Sequence, residues 1–353
     1  MLCKAVCPRG AILVEEGLKS CNACIDDTKC VECGQCGRLC PRNHLPLFRK
    51  PVEWHQGWAE DASVRAGSAS GGVATALALQ TVREGGVCVS CVFRGGRFVF
   101  EKAETKEAVF SFRGSKYVKS DPSDAYRLVL ESLAQGRKVL FVALPCQTAA
   151  LLAHPGLSRL DTENLVTADL ICHGTPSPGL LETFLGEKKR SLAGISGISF
   201  RDKTRYRIRT DGERGPKSGR KDMYMAAFMR VLSFTDNCYE CPFSRLERAT
   251  DLTLGDSWAT ELPPGEWKRG VSLMLCQTPK GSALLHRAGI HFEPVDLQKA
   301  IAANENLTRP CVAPRARERF FSIVARTGSL STAMRKTYPR FYFKNMIQSW
   351  LGI

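Results

Sequence analysis

The chain has 353 residues, 16 of them cysteine, and a formal net charge of +15. That length suits two domains or one large domain with an appendage, and the lack of any run of 18 or more apolar residues excludes a membrane-spanning helix. So many cysteines without a leader-like start fit a reducing, cytoplasmic setting and metal ligation rather than disulfides; the positive surface suits anionic cofactors or acidic partners.

Two cysteine runs open the chain. The second, CVECGQCGRLCP, puts Cys30, Cys33, Cys36 and Cys40 at the C-x2-C-x2-C-x3-C-P spacing of a bacterial [4Fe–4S] ferredoxin. The first, MLCKAVCPRG, holds only the last two cysteines of such a run, Cys3 and Cys7, followed by Pro8. In two-cluster ferredoxins the fourth cysteine of each run ligates the other cluster, so Cys30, Cys33, Cys36 and Cys7 make one complete set. The other set has Cys40 and Cys3 and lacks two ligands unless Cys21 and Cys24 supply them. The simpler explanation is a start that lies upstream, with the first two cysteines cut off. Residues 1–44 are short of long apolar runs, so a ferredoxin-like module held together by metal is expected there.

Residues 45–67, with two prolines and two tryptophans, read as a linker. From residue 68 the pattern is α/β. SASGGVATALALQTVREGG is a Gly/Ser turn entering an amphipathic helix. VCVSCVFRGGRFVFEKAE carries two strand-like runs around Arg-Gly-Gly, a hairpin signal. DAYRLVLESLAQGR is a helix stopped by Gly136. KVLFVAL and LVTADLI are short, β-branched apolar runs of the kind found in buried parallel strands, each followed by a small polar loop and a helix. The run 201–221 has nine Lys or Arg and three acids, and the alternation in RYRIRT reads as a hairpin strand with a solvated face. No motif supports nucleic-acid binding.

Several stretches offer chemistry. Cys146 and Cys172 follow the two buried strands, where open α/β sheets place their sites; Cys238 and Cys241 stand at chelate spacing in CYECPF. Together they are four soft ligands, the number a [4Fe–4S] cluster takes. Cys88 and Cys91 share that spacing inside a strand pattern, where alternation sends them to opposite faces; they, Cys276 and Cys311 read as core. AGSASGG before its helix suits a pyrophosphate but equally a plain N-cap. Lys116 is a candidate phosphate or flavin contact, Asp256 a carboxylate brought to a cofactor by a turn, and His173 either a proton donor near a flavin or, as the preferred reading, a hydrogen-bonded loop histidine.

The collinear series SASGGVATALA, GSKYVKS, VALPCQTAAL, DLICHGTPSP, FRDK, CYECPF, DLTLGDSW and NENLTRP resembles the β subunit family of coenzyme F420-reducing hydrogenase and dehydrogenase, from residue 1 to about 322. The resemblance implies a small ferredoxin-like iron–sulfur module (1–44), then a mixed α/β catalytic domain (68–322) that binds FAD, with residues 323–353 left as a basic, aromatic tail. It implies FAD phosphates at Ser68, Ser70, Gly71 and Gly72, a flavin-side role for Lys116, and a cluster on Cys146, Cys172, Cys238 and Cys241. The expected function is an oxidoreductase passing electrons between two [4Fe–4S] clusters, or three if Cys21 and Cys24 complete the outer one, and FAD, for two-electron chemistry on F420 or another organic substrate. An acidic partner such as ferredoxin or a hydrogenase or dehydrogenase subunit would supply or take the electrons. The alternative is a non-catalytic electron-transfer subunit, which needs no flavin.

Overall fold

The computed structural model describes residues 1–203, 205–211 and 222–350. Its strands are β1 (Ile12–Glu16), β2 (Cys21–Ile25), β3 (Glu53–Ala59), β4 (Val87–Arg94), β5 (Arg97–Ala103), β6 (Val139–Ala143), β7 (Leu165–Leu170), β8 (Ile198–Asp202), β9 (Arg205–Thr210), β10 (Leu252–Asp256), β11 (Ser272–Cys276) and β12 (Ile290–Glu293). β1 pairs with β2 and β8 with β9 as separate hairpins; the other eight form one sheet in the order β12-β3-β11-β10-β7-β6-β4-β5. The fold is mixed α/β. Strands β10, β7, β6 and β4 run parallel at the centre, and antiparallel strands flank them.

Local chemistry explains the centre. Every residue of β6 is buried, as a parallel strand covered on both faces requires. The β4–β5 hairpin turns through Gly95 and Gly96 at φ +55° and +76°, the two positive angles of a type I′ turn. The helix Ser123–Ala134 stops just before Gly136, which takes φ +70°.

Residues 45–67, expected as a linker, instead supply β3, paired on one side with β11 and on the other with β12. EWHQGWA lacks clean alternation because Gln56 and Gly57 are buried together: Gln56 bonds Ser257 and the Pro294 carbonyl, and a Cβ at Gly57 would meet the His291 carbonyl oxygen at 1.9 Å. The boundary expected at 323 falls inside the helix Arg317–Thr327. The following helix Leu330–Thr337 buries Leu330, Ala333 and Met334 in the same core as Tyr224 and Phe228, so these residues pack on the body. Residues 204 and 212–221 of the basic run lie outside the described residues.

The cysteine-rich start folds as the helix Leu2–Val6, the β1–β2 hairpin and the short helix Gln35–Arg38. It is docked on the body. Leu2 is 2% exposed within a core shared with Tyr126, Val129 and Leu133. The hairpin loop accepts hydrogen bonds from the body at two carbonyls, Leu18 from Ser177 and Lys19 from the Asp236 amide. Cys21 and Cys24 sit three apart in β2, so they point to opposite faces: Cys21 is buried, while the Cys24 thiol donates to Glu15 at 3.1 Å. That arrangement speaks against the pair completing one cluster. No helix among the described residues is long and apolar enough to cross a membrane.

Candidate cofactor cavity and cysteine cluster

A cavity of about 660 Å³ opens at the carboxyl ends of β4, β6, β7 and β10, the place where open α/β sheets bind ligands; the volume is that of a cofactor site. One wall is the Gly/Ser loop and the helix it feeds, Val73–Arg83. That helix begins at Gly72 (φ +87°) with no side-chain cap hydrogen bond, so the amides of Val73, Ala74 and Thr75 lack the partner a capping side chain would give, and these three residues line the cavity. The Ser68 and Ser70 hydroxyls donate backward instead, to the carbonyls of Val64 (2.7 Å) and Val271 (3.0 Å). The plain N-cap reading of this loop is thereby set aside.

Of the four loop residues expected at FAD phosphates, Ser68, Ser70 and Gly72 line the cavity. Gly71 does not. Its amide donates to Ser272 Oγ at 3.1 Å, and a Cβ there would meet the Gly57 carbonyl at 2.5 Å and the Ser272 amide at 2.8 Å. Gly71 is glycine because the loop must press against β3 and β11, and it has no free amide to offer a phosphate.

Cations surround the cavity. Lys116 donates from Nζ to the carbonyls of Phe112 (2.7 Å) and Arg113 (3.2 Å), and burial lowers its pKa. Arg113, which the sequence reading passed over, lies 3.5 Å over the Phe110 ring. Its Nε and Nη2 are buried without a hydrogen-bond partner among the described residues, an arrangement that an anion entering the cavity would complete. Arg201 also lines the cavity, paired in two prongs with Asp256 and 3.3 Å from the Tyr117 hydroxyl. Burial works against its charge, but Asp256 outweighs burial and holds it firmly protonated. Asp256 therefore spends both carboxylate oxygens on Arg201 and acts on the cavity through that guanidinium. Lys203 ties the loop from behind, donating to the carbonyls of Arg65, Ser68 and Ser70; burial first, then Arg65, lowers its pKa to about 8. The signal for these residues was present in RGSK and FRDK, but their sequence neighbours do not show which side chains turn inward.

Cys172 stands where two features meet. It lines the cavity, and after burial its pKa is raised most by Cys238, then Cys146 and Cys241. Cys146 is exposed at its surface, yet the protein atoms crowded around its sulfur first, then Cys241 and less so Cys238, raise its pKa. Burial and then Cys238 also raise Cys241. The loops after β6 and β7 and the CYECPF turn have thus brought the four body cysteines into one group. Among the described residues no three of these sulfurs lie within 4.8 Å of one another, whereas thiolates on a single zinc stand about 3.8 Å apart. The donor set, in which Cys146, Cys172 and Cys241 are each raised in part by neighbouring cysteines without a zinc-like trio of sulfurs, fits a cluster. Cys88 and Cys276 are fully buried, as expected of core thiols, with Cys88 also on the cavity wall; Cys91 and Cys311 are partly buried and line the cavity. His173, an exposed residue, lines it too, and the cavity wall crowding its ring, with Arg201 adding to it, lowers its pKa.

In the N-terminal module, Cys7 Sγ accepts the Ala11 amide at 3.3 Å. That bond, with further amide contacts from Arg9 and Gly10, lowers its pKa, as suits a thiolate ligand. Cys3 is raised by burial and feels both Cys40 and Cys36. Cys30 and Cys33 lie on the irregular stretch, bent at Glu32 (φ +50°), before the helix Gln35–Arg38, which carries Cys36.

Fold and site together define a mixed α/β protein with a cofactor-sized cavity at the ends of its parallel strands and a four-cysteine group at the wall. The chain belongs to the coenzyme F420 hydrogenase/dehydrogenase beta subunit family: residues 54–125 match that family's N-terminal region and residues 136–296 its C-terminal region. The matched regions hold the Gly/Ser loop, Lys116 and the four body cysteines, and leave the N-terminal module outside. No curated protein matches the chain. Among solved structures, a chain of the xenon-derivatised F420-reducing [NiFe] hydrogenase complex from Methanosarcina barkeri is similar at 17% identity and a TM-score of 0.48, over 78% of this chain and 94% of its own.

Proposed function

We propose that this protein is an iron–sulfur flavoprotein oxidoreductase, with FAD in the cavity and [4Fe–4S] clusters on Cys146, Cys172, Cys238 and Cys241 and on Cys7, Cys30, Cys33 and Cys36. The observation that carries the reading is Cys172, a member of the cysteine group that is also part of the cavity wall. A cluster and a flavin bound there would be neighbours. FAD supplies the ability to exchange electrons singly with clusters and as a pair, or as a hydride, with an organic molecule.

The chain's own residues would do the following. The amides of Val73 to Thr75 and the unpartnered nitrogens of Arg113 bind the pyrophosphate. Lys116 meets the electron-rich edge of the ring system. Arg201, oriented by Asp256, holds an anionic group of the substrate, and His173 is a neutral group able to pass a proton at a ring nitrogen. The positive surface attracts an acidic partner, ferredoxin or a hydrogenase or dehydrogenase subunit. F420, from which the family takes its name, is the first substrate to try, although one fold serves many substrates. The division into a 1–44 iron–sulfur module and a FAD-binding body belongs to the same proposal.

Anaerobic purification with an iron count, a visible spectrum and flavin extraction tests it. About eight irons and one FAD per chain are expected, from two four-iron clusters. Iron without flavin would favour the electron-relay alternative. Neither iron nor flavin would overturn the redox reading.

A further inference from the structure

Outside the cavity lining, at the start of β3, Glu53 and His55 lie two apart and so share one face of the strand. The helix Pro279–Arg287 lies across that face and presents Ser282 and His286, four apart on one side. His55 Nε2 stands 2.8 Å and His286 Nε2 2.5 Å from the same oxygen, Glu53 Oε1. Ser282 donates to the other oxygen, Oε2. The ligand atoms of Glu53, His55 and His286 all lie within 4.8 Å of one another, and no other His, Cys, Asp or Glu trio among the described residues is drawn so close. Phe292 packs against both imidazoles, its ring centre 5.0 Å from each.

We propose that Glu53, His55 and His286 form a binding site for a zinc-class divalent metal ion. The chemistry suits such an ion: two imidazole nitrogens and one carboxylate oxygen are the three-ligand set of zinc sites that keep a fourth position for water. The site is accessible, because the His286 side chain is 50% exposed while Glu53 and His55 are 25% and 28% exposed. Ser282 supplies the outer hydrogen bond that orients a ligating carboxylate. The ligands sit on a strand and a helix, which hold them more firmly than loops would. Cys276, the cross-strand neighbour of Glu53 on β11, is fully buried. An ion here would clamp β3, near the edge of the sheet, to the helix that covers it.

The test uses the anaerobically purified chain with its iron–sulfur clusters in place, dialysed against low-micromolar zinc and then assayed for bound zinc. His286→Ala on the helix and Glu53→Gln on the strand are independent variants, and melting each protein in chelator shows whether it is folded without metal. Zinc captured by stray cysteines is common to all three proteins and cancels in the difference. The wild type is expected to hold about one zinc more than either variant and to gain melting temperature on zinc addition while the variants do not. Equal zinc content, with no zinc-dependent rise in the wild-type melting temperature, overturns the proposal and leaves the trio as a hydrogen-bonded cluster.

Discussion

Arg201 meets Asp256 in a two-pronged ion pair at the cavity wall, Nη1 to Oδ2 at 2.6 Å and Nη2 to Oδ1 at 2.9 Å, with the Arg201 side chain only 5% exposed. A pair formed with so little water is sensitive to the loss of one member, because the remaining charge stays buried. Asp256→Ala should therefore destabilise the fold by about 3 kcal/mol, the low end of the range for broken buried pairs, since the Tyr117 hydroxyl still accepts from Arg201. Replacing both residues by apolar ones of similar volume should cost much less. Urea unfolding of the single and double variants checks this; equal losses in the two would mean the pair is not coupled as described.

Cys172 and Cys91 both line the cavity, yet only Cys172 interacts with the other three body cysteines. Cys91 is raised by burial, with Lys116 opposing. Cys172→Ser should remove about four irons per chain, one cluster, while Cys91→Ser leaves the iron count unchanged. Iron analysis of the two proteins, purified side by side without oxygen, decides the matter. If Cys91→Ser also loses iron, the four-cysteine assignment is wrong.

Lys203 gives a pH dependence. Its amine is held at about 8 in the folded protein against an ordinary 10.5, mainly by burial and then by Arg65. Below pH 8 it is charged, and a phosphate beside the Ser68–Ser70 loop gains from that charge; above pH 8 the proton is lost and the gain goes with it. FAD affinity should be flat from pH 6.5 to 7.5 and fall about fivefold by pH 9.5, equivalent to about 1 kcal/mol, the size of one screened charge interaction. Flavin fluorescence titrations across that range test it. A flat profile in the wild type, or an unchanged slope in Lys203→Met, would rule Lys203 out.

The same molecule shows which features a sequence carries openly. Hairpin β4–β5 was legible because Gly95-Gly96 states its turn, and β6 because apolar residues fill every one of its buried positions; β7 was legible from Leu165, Val166, Ala168 and Leu170 although it also buries Thr167 and Asp169. The body cysteines were legible as a candidate set from strand-end positions and C-x2-C spacing. Strand β3 was hidden, since its inward positions are taken by Gln56, which finds side-chain and backbone partners, and by Gly57, which makes room for β12. Arg113 carries no local signal of its orientation, and Arg201 read as part of a solvated basic run, until packing turned them toward the cavity. Glu53 and His286, 233 residues apart, meet only through the sheet and its covering helix, so no local pattern announces them.

Gly71 offers a test of the loop that does not depend on any ligand. A Cβ there meets backbone at 2.5 Å and 2.8 Å, contacts that a side-chain rotation cannot relieve. Gly71→Ala should cost about 1–3 kcal/mol, the usual range for overpacking, through displacement of the loop from β3 and β11. Gly114→Ala, at a glycine with open space around it but φ +83°, should cost about 1–2 kcal/mol from backbone strain alone. Denaturant midpoints separate the two. A Gly71→Ala protein as stable as the wild type would mean that the loop is not wedged there.

The N-terminal cysteines separate two ways of wiring the module. If the fourth cysteine of each run serves the other cluster, Cys7 completes the set of Cys30, Cys33 and Cys36, while Cys3 belongs with Cys40. The amide contacts around the Cys7 sulfur favour a thiolate there, and Cys3 feels Cys40 more strongly than Cys36, as the crossed arrangement requires. Cys21 and Cys24 point to opposite faces of β2 and do not make up the two ligands missing beside Cys3 and Cys40. Cys7→Ser should therefore lose about four irons per chain, and Cys3→Ser none. The opposite result, iron lost from Cys3→Ser and kept in Cys7→Ser, would mean that the intact run draws its ligands from Cys3, with Cys7 held by its amides for packing alone.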